Sequence, residues 1–189
     1  MSARHAKQPT VVGNTAKGKR FLKTVYEYAE TILFAMLLIV LLFTFAFRVA
    51  GVVGGSMEPT LHTEERLLLT THFYTPSRGD IVVIDRYTQE PLIKRIIGVA
   101  GDTIRIDGAS GIVYRNGEAL VERYTSSSTH PKDMDGEITI PEGYVFVLGD
   151  NRAVSKDSRS AEIGLVDTED IVGKAMWRVW PLARFGRIE

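Results

Sequence analysis

The chain reads as a mainly β protein: an N-terminal transmembrane helix, then an all-β domain of barrel or sandwich type with a small accessory β region. Three features carry that reading. A continuous apolar stretch of helical length lies near the start. Beyond it, short runs rich in Val, Ile and Leu recur at even spacing, punctuated by Gly and Asp. An Asn-Gly pair stands between two of those runs, the dipeptide that most favours a two-residue hairpin. No later segment has a convincing helical period, so the strands are expected to pack on one another.

Residues 1–30 form a basic tail, of which the first twenty are polar and contain Pro9, Gly13 and Gly18. Such a stretch buries too little to order itself and is expected to be disordered. Helical character starts at Phe21. The stretch Thr31–Val53, with Arg48 as its single charge, is expected to be the anchor, and as a helix it measures about 34 Å, enough to span a bilayer. It is apolar on all faces, unlike a helix buried in a soluble domain. It is also too long for a typical signal-peptide core, and no small-x-small site follows closely. Basic residues precede it, which predicts a single-pass cell-membrane protein with the N-terminus cytoplasmic and residues 54–189 outside.

Past the anchor, strands are expected at Arg66–Thr71, Ile81–Ile84, Leu92–Val99 and Thr103–Ile106. Ile112–Tyr114 and Ala119–Val121 flank the Asn116-Gly117 turn as a hairpin. An accessory β and loop region covers about 108–137, including a polar loop over 123–136. Ile138–Ile140, Tyr144–Leu148 and Ile171–Trp180 complete the domain.

Composition narrows the function. Net charge is zero over 189 residues, but residues 1–50 carry an excess of five positive charges and the remainder an equal negative excess. Positive charge confined to the flank of an apolar span suits a membrane address rather than nucleic-acid binding. The absence of cysteine excludes disulfides, thiol catalysis and cysteine-rich zinc sites. Nothing in the sequence calls for a metal or organic cofactor.

Three stretches could hold chemistry. In Gly54-Gly55-Ser56-Met57-Glu58-Pro59-Thr60-Leu61 a serine stands among glycines and a proline, on a turn that could present its hydroxyl. On composition alone such a stretch is more often a linker. Lys94 shares a strand face with Leu92 and Ile96. An amine desolvated by such neighbours has a lowered pKa and can act as a general base, although most strand lysines are simply solvated. Gly149–Arg159 packs Asp150, Arg152, Asp157 and Arg159 around Ser155. These charges could pair with one another and with Arg95 to stiffen a loop, or form an ordinary polar surface loop.

Taken together and in order, these stretches resemble the bacterial type I signal peptidases, membrane-anchored serine proteases of the Ser-Lys type, in their small single-span form. Ser56–Leu61 is similar to the family's nucleophile box, Lys94–Asp102 to its general-base box and Gly149–Arg159 to its last box. Gly173-Lys174-Ala175 and Arg178-Val179-Trp180-Pro181 resemble its closing strand. The resemblance implies Ser56 as nucleophile, Lys94 as general base and Ser155 as the hydroxyl that orients the Lys94 amine. It implies Asp150–Arg95 and Asp157–Arg159 as supporting ion pairs, with Arg152 in the same loop. The backbone N–H of Ser56 would stabilise the oxyanion. Some members add a hydroxyl two residues before the nucleophile, where this chain has Gly54, so a backbone group or water would have to substitute. Small apolar pockets near Val52, Met57, Leu61 and Ile93 would admit alanine side chains. A substrate strand is expected to pair with a sheet edge near 79–84 or 50–55. The implied substrates are signal peptides of exported preproteins, met at the lipid bilayer beside the secretion translocon and cleaved after a small-x-small motif.

Two other classes compete. A Ser-His hydrolase would need His62, His72 or His130, since His5 lies before the anchor; none lies in a stretch resembling an activated base with an orienting acid. A membrane-tethered binding or scaffold module would need no catalysis at all.

Overall fold

The computed structural model describes residues 13–71, 74–85, 87 and 90–188. His5, His72 and the first part of the basic tail therefore lie outside the described residues. The chain divides into two compact units, residues 1–44 and 45–189.

The first unit holds α1, Gly13–Ala46, up to Thr44. Its segment Gly18–Leu41 is long and apolar enough to cross a membrane, and it is unburied by protein throughout. Two boundaries differ from expectation. Helix is already present from Gly13, inside the stretch expected to be disordered, and it stops at Ala46 rather than Val53. Phe47–Gly51 is strand β1. Hydropathy alone cannot separate these cases, because an apolar strand and the end of an apolar span have the same composition. Val49 and Gly51 favour the strand.

In the second unit, β2 (Arg66–Thr70), β3 (Ile81–Ile84), β4 (Leu92–Val99), β5 (Thr103–Ile106), β6 (Val113–Arg115) and β7 (Glu118–Ala119) come first. β8 (Glu137–Thr139), β9 (Tyr144–Leu148), β10 (Val166–Asp167), β11 (Ile171–Trp180) and β12 (Gly186–Arg187) follow. The main sheet runs β1-β2-β11-β3-β4-β9-β10, with β12 on β11, and a second sheet runs β7-β6-β5-β8. Asn116 and Gly117 both have positive φ, at 55° and 80°, as the tight hairpin between β6 and β7 requires. The second sheet begins at Thr103, a few residues before the expected accessory region.

β3 explains its own sequence. Ile81 and Val83 face one core cluster with Leu67, Leu69 and Ala175. Val82 and Ile84 face another with Ile96, Val145 and Val147. A strand buried on both faces is apolar at every position. It is also not an edge, because β11 lies along one side and β4 along the other. The expected docking edge at 79–84 is therefore corrected. β1 ends the order of the main sheet and leaves its outer edge unpaired among the described strands.

Candidate active site

The turn that carries Ser56 is held at its base and its middle. Val52 N–H donates to the Glu65 carbonyl at 2.8 Å and Glu64 N–H to the Val52 carbonyl at 3.0 Å. Leu61 N–H donates to the Met57 carbonyl at 2.9 Å, and the Met57 and Leu61 side chains are fully buried. The turn is thus pinned to the core by apolar side chains while Ser56 stays at its rim. From the opposite side, Asn151 N–H donates to the Ser56 carbonyl at 3.0 Å.

Lys94 comes from β4, where it pairs with Val82 in the row of Leu92 and Ile96. Only 2% of the residue is exposed. Its Nζ donates to the Ser56 hydroxyl at 3.0 Å and to the Ile93 carbonyl at 2.9 Å. Burial strips the ammonium of water and lowers its pKa from 10.5 to about 8; the Asp157 and Asp150 carboxylates pull it back up, and Lys132 pushes it down. An amine of that pKa, within hydrogen-bond reach of a hydroxyl, can take the hydroxyl's proton near neutral pH.

The polar loop after β9 supports this pair. Arg95 binds Asp150 through two bonds, at 2.8 and 2.7 Å, with both residues buried. Arg159 forks onto Asp157 in the same way, at 2.8 and 2.9 Å. Burial alone would push the Asp157 carboxyl up, but the Arg159 hydrogen bonds and charge, with the Gly149 N–H, bring it below the usual aspartate range. Bidentate buried pairs of this kind fix direction as well as charge. Arg152 is buried too, but its partner is Glu122 of the accessory region, reached at 2.6 and 2.9 Å. A side chain added at Gly149 would put its Cβ 2.2 Å from Ser155 Oγ and 2.5 Å from the Ser56 carbonyl. Only glycine lets the loop approach the turn this closely.

Ser155 departs from expectation. It is fully buried next to Gly149, yet its hydroxyl makes no hydrogen bond of ordinary geometry to Lys94 or to any other described side chain. It lies near enough to Asp157 to favour that carboxylate's ionised form. Lys94 turns instead to Ser56 and to its own neighbour's carbonyl.

A cleft of about 500 Å³ runs beside β1, lined in part by Ala50, Gly51, Val53, Leu69, Val83 and Ile93. Of the four expected pocket residues, Ile93 lines it. Val52, Met57 and Leu61 do not; they are almost fully buried in the core cluster that also holds Leu69, Val83 and Ile93. Among the described histidines, the His62 ring lies 2.8 Å from Arg184 and 3.9 Å from Glu65, and His130 is exposed. No hydrogen bond joins either ring to Ser56. Sequence reading gave no role to Thr60, Glu65, Glu122 or Arg178; each acts through a contact distant in the chain, which local pattern does not register.

Comparison with known proteins gives the family. The family described as signal peptidase, peptidase S26, matches residues 25–180. The chain belongs to that family. Signal peptidase I P of Bacillus subtilis subsp. natto is 36% identical over 180 residues, covering 89% of this chain and 96% of its own. Probable signal peptidase I-2 of Synechocystis is 35% identical, covering 93% and 84% respectively. Signal peptidase I T of Bacillus subtilis is 34% identical, covering 89% and 92%. A crystal structure of a signal peptidase I from Enterococcus faecalis is 31% identical and covers 53% of this chain and 97% of its own, with a TM-score of 0.45. This signal peptidase is accordingly a serine endopeptidase. Its α1 supplies the apolar helix that a membrane-anchored member requires.

Proposed function

We propose that this signal peptidase removes signal peptides from exported preproteins by a Ser56–Lys94 dyad, cutting after a small-x-small motif. The observation that carries the reading is the 3.0 Å contact between the Ser56 hydroxyl and a buried Lys94 amine whose pKa is lowered to about 8. A substrate strand lies along the free edge of β1, and its small side chains enter the cleft beside Ile93. Ser56 Oγ attacks the scissile carbonyl carbon while its proton passes to neutral Lys94 Nζ. As the carbon–nitrogen bond breaks, Lys94 returns that proton to the leaving amine. Water then attacks the acyl ester, Lys94 takes its proton, and the proton goes to Ser56 Oγ as the ester bond breaks. The Ser56 N–H serves the oxyanion. Gly54, at a φ of 82° with open space around it, contributes no hydroxyl, so a further donor comes from backbone or water.

The test is cleavage of a peptide with an Ala-x-Ala site by the purified full chain in detergent. Because the base works uncharged, kcat/KM is expected to rise as pH rises toward about 8 and to level off above it. Ser56→Ala is expected to abolish turnover and His62→Ala to preserve it. Equal turnover by Ser56→Ala and the parent would favour a scaffold role, and loss with His62→Ala would favour a Ser-His enzyme.

We further propose that the N-terminus is cytoplasmic and the β domain lies outside, beside the translocon, on the strength of the positive charges that precede the span. The cysteine-free sequence makes this simple to read. A single cysteine placed at Ser160 in intact cells should react with a membrane-impermeant maleimide, and one placed at Ser2 should not; the reverse pattern would invert the topology.

A further inference from the structure

Thr60 lies four residues beyond Ser56 in the same turn, and two other parts of the fold hold its two polar groups. Its hydroxyl donates to Asp150 Oδ2 at 2.5 Å, the carboxylate that grips Arg95 beside Lys94. Its carbonyl accepts from Arg178 Nη2 at 2.6 Å. Arg178 belongs to the closing-strand stretch that the sequence reading singled out without a role. Its Nε donates to Glu65 Oε2 at 2.7 Å, and Glu65, only 2% exposed, also pairs with Arg184 at 2.6 Å.

We propose that Thr60 is a positioning residue for the Ser56–Lys94 contact: it ties the turn that carries the hydroxyl to the strand that carries the amine, through Asp150 and Arg95, and Arg178 holds it in place. This rests on the dyad reading above. The need follows from the geometry. Met57 and Leu61 sink the turn into the core by non-directional apolar contacts, and the Val52, Glu64 and Leu61 backbone bonds hold its base and middle, but none of these bonds reaches the strand that carries Lys94. A hydrogen bond onto a buried carboxylate is directional and charge-assisted. Asp150 is already fixed by the Arg95 fork, and Arg95 is covalently next to Lys94, so the turn is registered against the base itself. The Asn151 bond to the Ser56 carbonyl registers it against the loop. Displacement of reacting groups by about 1 Å can cost about a hundredfold in rate, which is the scale on which such a tie acts.

Thr60→Val keeps the side-chain shape and removes the donor. Assayed on the Ala-x-Ala peptide with the full chain, it is expected to lower kcat by about 10- to 100-fold with KM little changed. The acid limb of the pH profile should also move to higher pH, because a loosened turn admits water to the Lys94 ammonium. The charged groups facing that amine, Asp157, Asp150 and Lys132, and the Arg159 and Arg95 that hold the two aspartates, are the same in both proteins. Thr60→Ser restores the donor and should return kcat and the profile close to the parent's. A merely structural role would reduce the fraction of active enzyme without moving the profile. Arg178→Lys, which cannot reach Glu65 and the Thr60 carbonyl together as the guanidinium does, should show a smaller fall in kcat and gives a reading should Thr60→Val not fold. Parental kcat and profile in Thr60→Val, or in Arg178→Lys where Thr60→Val does not fold, would overturn the inference, as would a Thr60→Ser as impaired as the valine variant. Activity surviving in Lys94→Met would overturn the dyad itself. An inactive Lys94→Met beside a parental Thr60→Val would sink the positioning role alone.

Discussion

Lys94→Met is expected to lose at least about a thousandfold in kcat/KM while the folded chain becomes more stable at neutral pH. The activity loss follows from removing the group that accepts the Ser56 proton. The stability gain follows from the same burial that lowers the amine's pKa. A lysine that titrates at 10.5 when exposed and at about 8 in place is charged in both folded and unfolded chains below pH 8. The folded state therefore carries the full penalty of burying the ammonium there, up to about 3 kcal/mol. That penalty disappears as pH rises from about 8 to about 10.5, because the folded chain has then shed the proton that the unfolded chain still holds. Parental stability should climb across that window, and Lys94→Met should lack the climb. Losing the donors to Ser56 and Ile93 reduces the gain somewhat. Denaturant unfolding at pH 7 and pH 10, set beside kcat/KM, reads both effects. A variant that loses activity and stability together would mean that the amine is there for structure.

The second large effect belongs to Asp150. Asp150→Asn removes the negative charge from a buried cluster in which Arg95 and Thr60 both donate to one carboxylate. Breaking one side of a buried pair costs about 3–5 kcal/mol, mainly because the remaining charge stays buried. Arg95 keeps its bond to the Gly79 carbonyl and its place over the Tyr124 ring, 4.0 Å from the centroid, and neither replaces a carboxylate. The change is expected to unfold the chain at much lower denaturant concentration. Adding Arg95→Met should recover part of the loss, giving a coupling energy in a double-mutant cycle. Equal stability of Asp150→Asn and parent would show that the cluster is already neutral or wet.

Much of this was legible in the sequence, and the parts that were not have a common cause. Lys94 could be placed among aliphatics because period two is a local property and Leu92 and Ile96 flank it. The Asn116-Gly117 hairpin announced itself for the same reason. The Arg95–Asp150 and Arg159–Asp157 pairs are present in the structure as the resemblance implied. The Arg152–Glu122 pair spans thirty residues and has no local trace. Val52, Met57 and Leu61 were expected at the substrate pocket, but whether an apolar side chain lines a cleft or fills the core depends on packing that only the assembled sheet supplies. The expected end of the anchor differs from the end of α1 because an apolar edge strand such as β1 and the end of an apolar span have the same composition. Ser155 is buried beside the site, and its hydroxyl makes no hydrogen bond to the Lys94 amine in this structure.

The place of β11 couples the two halves of the site. It lies between β2, which leads away from the serine turn, and β3, which leads toward the lysine strand. Without those ten residues the two halves of the sheet would have no common neighbour to bring them into register. A change that loosened β11 would therefore be felt at the Ser56–Lys94 contact, although neither residue lies on that strand.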